Sequence, residues 1–356
     1  MESHDKTIII PKEVNTKNST SFSWEIKKLL DNLTEGSYVL DFSKVTRSYP
    51  YGALLLAKSL RAMLREMRNR HVGVEILGND TEIASYLRYV GFFKYIGIDQ
   101  GNAPGEAPGS PSYIPITVHT SNELEENAKK NKEQVPDIIE KEAERVAAII
   151  QKAYENLSEE KRNFAFESIA YSLREIMRNS IEHSGDDEVV IFAQSFPNLR
   201  QVEIAIMDDG VGIASTLAEK YGNISPMDAI TLALSPGVSR SDTSTDTGDK
   251  WQNSGFGLYV VSELCKTLPN SQFFMTSSNA SYSASCNRNG ESLINQRDRY
   301  IWDKGTTTMI KLCIDEDFYF PNLLNRIVEK GERIAGTHIL NGKASKGSKS
   351  VPKKIF

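Results

Sequence analysis

Residues 167–212 constrain the chain most, because they join a helix to two strands that end in a glycine turn. Ile169, Leu173 and Ile176 repeat at helical spacing and give an apolar flank that can dock on a sheet. Glu175 and Asn179, four residues apart, share another face of that helix, with His183 one turn further on. Residues 189–194 and 201–207 read as strands, with Asn198 in the turn between them. Val202, Ile204 and Ile206 alternate as in a half-buried strand, which runs directly into Asp208-Asp209-Gly210-Val211-Gly212. A helix presenting a carboxylate and an amide beside such a turn is a candidate nucleotide pocket.

Length and charge limit what surrounds that stretch. At 356 residues the chain has room for two or three domains. Its 47 acidic and 42 basic residues give a net charge of -5, so there is no global basic field and nucleic acid is not an expected partner. Cys265, Cys286 and Cys313 lack metal-type spacing and read as reduced thiols. No apolar run approaches about 18 residues, and the polar start Met1-Glu-Ser-His-Asp-Lys is unlike a signal peptide. A cytoplasmic protein that does not enter membranes is expected.

The first block, 1–99, alternates strands and helices. Strands are expected at 7–10, 38–42 and 72–76, and helices at 21–33 and 81–90. Between the second and third strands lies a helix striped by Leu56, Leu60, Met63, Leu64 and Met67. This is a small α/β domain. Its order, with Asp41-Phe-Ser-Lys-Val-Thr46 after the second strand and Gly91-Phe-Phe near the end, resembles the STAS family, which includes the anti-anti-sigma factors. That family carries a phosphorylatable serine just before a glycine, whereas this chain reads Tyr49-Pro50-Tyr51-Gly52. The expectation is a binding or dimerisation module without the serine switch, with Ser48 and Tyr51 as the remaining hydroxyls.

Residues 100–120 carry proline and glycine in quantities that suit a linker, with a short strand from Tyr113 rejoining one of the domains. Residues 121–320 open with a charged helical tract, a solvated face or a dimer contact. An amphipathic helix follows, with Ile138, Ile139, Val146, Ile149 and Ile150. Later in this block, 239–254 is a polar, aperiodic span with the character of a functional lid. It ends at Gly255-Phe-Gly257-Leu258, glycines that open a helix and let backbone N–H groups face an anion. Gly305-Thr306-Thr307-Thr308 begins a closing strand. Residues 321–356 form an extension whose basic tail is a solvated terminus or a weak anchor for an acidic partner.

In order, Glu175-x-x-x-Asn179, Asp208-x-Gly210-x-Gly212, the polar span, Gly255-x-Gly257-Leu258 and Gly305-Thr306 resemble the GHKL superfamily of histidine kinase-like ATPases. The resemblance implies a Bergerat-type α+β sandwich with helices on one face of a mixed sheet, and it implies ATP and Mg²⁺ as ligands. Asn179 would coordinate Mg²⁺, an ion that keeps several waters and phosphate oxygens. Asp208 would accept from the adenine amine, with Thr306 or Thr307 helping through a water. Gly210 and Gly212 would admit the base, and Gly255, Gly257 and Leu258 would bring main-chain donors to the phosphates. Glu175 would be the general base of phosphoryl transfer. His183 matches a histidine of the anti-sigma kinases, or is structural.

A sensor histidine kinase would need a phosphoacceptor, and His119 lacks an acidic residue after it. Gyrase and MutL types need a further domain that supplies a lysine. The expectation is therefore a nucleotide-controlled switch that engages regulatory proteins, with a homodimer as a further expectation. A serine/threonine kinase of anti-sigma type acting in trans and a non-catalytic ATP-binding scaffold are the alternatives.

Overall fold

The computed structural model describes residues 6–183, 188–238, 255–298, 304–314 and 323–337. In the first block, β1 (Lys6–Ile9), β2 (Glu13–Val14) and α1 (Thr16–Asp31) precede β3 (Ser37–Asp41) and β4 (Arg47–Ser48). Next come α2 (Pro50–Asn69), β5 (Gly73–Leu77), α3 (Glu82–Tyr89) and α4 (Phe92–Tyr95). The middle of the chain supplies β6 (Tyr113–Thr120), α5 (Ser121–Asn131), α6 (Val135–Ala147), α7 (Ile149–Ala153) and α8 (Glu159–His183). The remainder is β7 (Glu188–Phe196), β8 (Gln201–Asp208), α9 (Gly212–Tyr221), α10 (Pro226–Ala233), α11 (Gly257–Thr267), β9 (Gln272–Ser277), β10 (Ala280–Cys286), β11 (Ser292–Arg297), β12 (Thr306–Cys313) and α12 (Leu323–Thr337).

The fold is mixed α/β. Among the described residues, a parallel sheet β1-β3-β5 belongs to the first block, and a seven-stranded sheet runs β11-β10-β9-β12-β8-β7-β6. Every neighbouring pair in the larger sheet is antiparallel, which corrects the expectation of a mixed one. The 100–120 segment ends in β6, which pairs with β7 as an edge strand, and its register shifts between Ile114 and Thr117 around Pro115. A proline has no N–H for a ladder, so an irregular edge is where it fits.

Strand alternation sends each strand's side chains into two different cores. Ile204 and Ile206 of β8, Ile191 of β7 and Ile310 of β12 join Ile169, Leu173 and Ile176 of α8 and Val260, Val261 and Leu264 of α11 on one face. Ala205 and Met207, Val190 and Phe192, Phe274 and Met309 point the other way, into one cluster with the first block. α2, from the first block, covers that second face.

The composition of α2 explains this. Its first turns, Tyr51-Gly-Ala-Leu-Leu-Leu-Ala57, are apolar all round, and all of these residues are buried. A helix without a polar face must be covered on both sides. One side packs on α1 and the small sheet and the other on β7, β8 and β12. Tyr51 is fully buried, with its hydroxyl 3.2 Å from Thr276 Oγ1, so it has no access for phosphorylation. Gly52 is required by packing, since a Cβ there would lie 2.5 Å from the Val14 carbonyl oxygen. Among the described residues no helix is long and apolar enough to cross a membrane.

Candidate functional site

The cleft lies on the α8–α11 face of the large sheet, with about 930 Å³ of open space. Its walls carry Glu175, Asn179, Asp208, Gly212, Gly255, Gly257, Leu258 and Thr306 from the sequence-predicted set. Five elements bring these residues together: α8, the end of β8, the start of α9, the start of α11 and the start of β12. Ile176, Ile206, Ile213 and Met275 make the remaining walls largely aliphatic. A concave apolar cleft with a few convergent polar groups is the usual form of a small-molecule site.

Asp208 lies at the end of β8 and is 4 % exposed. Its Oδ1 accepts from the Gly210 and Thr306 N–H groups, each at 3.1 Å, and its Oδ2 accepts from Ser180 Oγ at 3.2 Å. Burial pushes this carboxyl up to about 6, while the Lys58 ammonium and those three donors oppose the shift. The group is therefore mostly ionised at neutral pH and loses acceptor capacity as pH falls through 6.

Glu175 is buried where α8 and α11 meet, and Arg174 donates to its Oε1 from Nη2 at 3.2 Å and from Nε at 3.4 Å. The Arg174 guanidinium also lies 3.6 Å from Glu140 Oε1 and over the Tyr171 ring. Helix α11 comes this close because position 257 has no side chain. A Cβ on Gly257 would lie 2.1 Å from Glu175 Cβ and 2.5 Å from its Cγ. Gly257→Ala is expected to push α11 off α8 and cost about 1–3 kcal/mol, read as a lower urea midpoint. Gly255 (φ +64°) and Gly212 (φ +78°) adopt left-handed backbone. A Cβ at Gly212 would meet Ser278 Oγ at 2.7 Å.

Two predicted residues are not on the cleft wall. Thr307 faces the opposite side of β12 from Thr306 and Thr308, as period-two alternation requires, and is fully buried toward the first block. It therefore does not line the cleft. Gly210 acts indirectly, through the N–H that it gives to Asp208. The side chain of His183, the polar span 239–254 and the basic tail lie outside the described residues. His119 faces Glu142, 2.9 Å from its Oε1, and Arg145 holds the same carboxylate from 2.6 Å. This pairing keeps the Glu142 carboxyl down at about 2 against its burial.

Sequence reasoning missed Ser180, Ser277 and Lys58. Ser277 Oγ accepts from the Ile213 N–H at 2.8 Å and lies 3.2 Å from Thr306 Oγ1, tying the start of α9 to β12. Ser180 follows Asn179 directly, and its helical position beside the acidic strand end is the signal that could have found it. Among the described residues, no cluster of three or more His, Cys, Asp or Glu could hold a metal. A metal in this cleft would need ligands from water and from a bound molecule. No family model matches the chain, and no curated protein matches it.

Proposed function

We propose that the cleft binds an adenine nucleotide, ATP with Mg²⁺, and that the chain is a nucleotide-controlled interaction switch of the GHKL type its motifs resemble. One observation carries this reading. A buried carboxylate, fixed by three donors, lines a largely aliphatic cleft edged by glycines. A flat heterocycle with an exocyclic amine suits such walls, and Asp208 would accept from that amine. Gly255, Gly257 and the first turn of α11 would face the phosphates, where exposed N–H groups and the helix dipole favour negative charge. Asn179 offers an amide oxygen, which suits Mg²⁺ shared with phosphate and water. The metal would supply charge neutralisation at the phosphates. Glu175 would hold the proton of an attacking water or hydroxyl.

The test is calorimetry with ATP and ADP in the presence of Mg²⁺; absence of heat with either nucleotide would remove the reading. Asp208→Asn is expected to weaken ADP about 10- to 100-fold, the loss of a charge-assisted bond worth about 1.5–3 kcal/mol. Its oxygen can still accept from Gly210 and Thr306, so its NH₂ would confront the adenine amine donor to donor. The Arg174 contacts to Glu175 favour a second reading, a scaffold that holds nucleotide without turning it over.

The first block is read as a STAS-like module kept in place by α2. The switch would then act on a regulatory protein, or on a second copy of the chain.

A further inference from the structure

Lys58 lies on α2, in the first block, yet its ammonium reaches through to the turn that carries Asp208. It donates to the Asp208 carbonyl oxygen at 3.2 Å and to the Lys304 carbonyl oxygen, and lies 3.2 Å from Asp209 Oδ1. Its side chain is only 10 % exposed. An ammonium has donors and no acceptor; the two carbonyl oxygens accept from it, and the Asp209 carboxylate lies beside its charge.

The geometry of the gripped segments gives the contact its meaning. Asp208 and Thr306 are register partners at the ends of β8 and β12. The two backbones are so close at this point that a Cβ on Gly305 would lie 2.3 Å from the Asp208 carbonyl oxygen. The Asp208 side chain projects to the cleft face, while its carbonyl is held by Lys58. The N–H groups of Gly210 and Thr306 that fix the carboxylate belong to the same two segments. Lys58 therefore staples the two strand ends whose spacing sets where the carboxylate stands.

We propose that Lys58 is a positioning residue for the ligand-facing carboxylate of Asp208, which makes the first block a structural part of the cleft. The assignment of the ligand as an adenine nucleotide rests on the proposed function; the positioning role does not. Arg61, one turn further along α2, provides the control. It ties the same helix to the same sheet through Glu188, 3.1 Å from its Nη1, without touching the Asp208 turn.

The experiment compares wild type, Lys58→Met and Arg61→Met by amide NMR and by ADP titration with Mg²⁺. In Lys58→Met the Gly210 and Thr306 amide signals are expected to move and to exchange about tenfold faster, with ADP affinity about tenfold lower. Arg61→Met is expected to leave both amides and the affinity within about twofold. Unchanged Gly210 and Thr306 amides in Lys58→Met would overturn the proposal. Equal effects from both variants would also overturn it, because the lysine would then serve only to dock α2. If wild type takes up no nucleotide, the proposed function fails by itself, and the two amide signals still decide the role of Lys58.

Discussion

Glu175→Ala is expected to lower release or transfer of the γ-phosphate by about 10²–10⁴-fold, the usual contribution of a positioned general base. ADP affinity should stay within about twofold, since in the proposed reading the carboxylate would act on the attacking group and not on the base or the ribose. Glu175 lines the cleft and is buried against Gly257, with Arg174 as its cation. Truncation removes buried atoms from the α8–α11 contact, so Glu175→Gln, which keeps the volume, is the companion variant and should lose turnover to a similar degree. Labelled γ-ATP reads both products: free phosphate reports transfer to water, and labelled protein reports transfer to a hydroxyl. Turnover retained in Glu175→Gln would take Glu175 out of the base role. A wild-type protein that binds ATP and yields neither product would favour the scaffold reading, with Arg174 holding the carboxylate neutralised.

Much of the cleft was legible because its residues come from local patterns. The four-residue spacing of Glu175 and Asn179 needs only a helix, and the run of Ile204 and Ile206 into Asp208 needs only a strand with one buried face. The elements of the first block likewise follow from periodicity: the helix expected at 81–90 is α3, capped by the Thr81 side chain. Alternation should also have separated Thr306 from Thr307, but a threonine run has no apolar partner to mark which face is which. Contacts made across the fold left no local trace. Lys58 and Asp208 are 150 residues apart, and Tyr51 and Thr276 are 225 apart. The burial of Tyr51-Gly-Ala-Leu-Leu-Leu-Ala57 on all sides is visible in composition, whereas the stripe from Leu56 to Met67 marks only one of the two surfaces that α2 packs against.

Glu203 lies on the sheet face that α2 covers. In β8 it alternates with Val202 and Ile204 and looks like the solvent side of a half-buried strand, but α2 seals that side. Its Oε1 accepts from the Tyr51 N–H at 3.1 Å, in the first turn of α2, where the N-cap Tyr49 makes no side-chain cap. The carboxylate thus caps a helix from another part of the chain and faces the positive end of its dipole. Burial nonetheless dominates and raises the carboxyl from 4.5 to about 7, with the Tyr51 N–H and the Lys311 charge pulling the other way. The folded chain therefore holds this proton more tightly than the unfolded chain. The resulting stabilisation is complete below pH 4.5 and disappears as pH rises through 7. Its size is on the order of 3 kcal/mol across that window. Asp208, raised to about 6, adds a slope of the same sign, whereas the depressed Glu142 carboxyl begins to cost stability only as pH falls below 4.5 toward 2. Urea unfolding at pH 5, 6, 7 and 8 should show wild type losing stability with rising pH. Glu203→Gln keeps an acceptor for Tyr51 without the buried charge, so it should flatten most of that slope and be more stable than wild type at pH 8. A Glu203→Gln curve that tracks wild type from pH 5 to 8 would mean that the carboxylate reaches water and that α2 does not seal the back of the sheet.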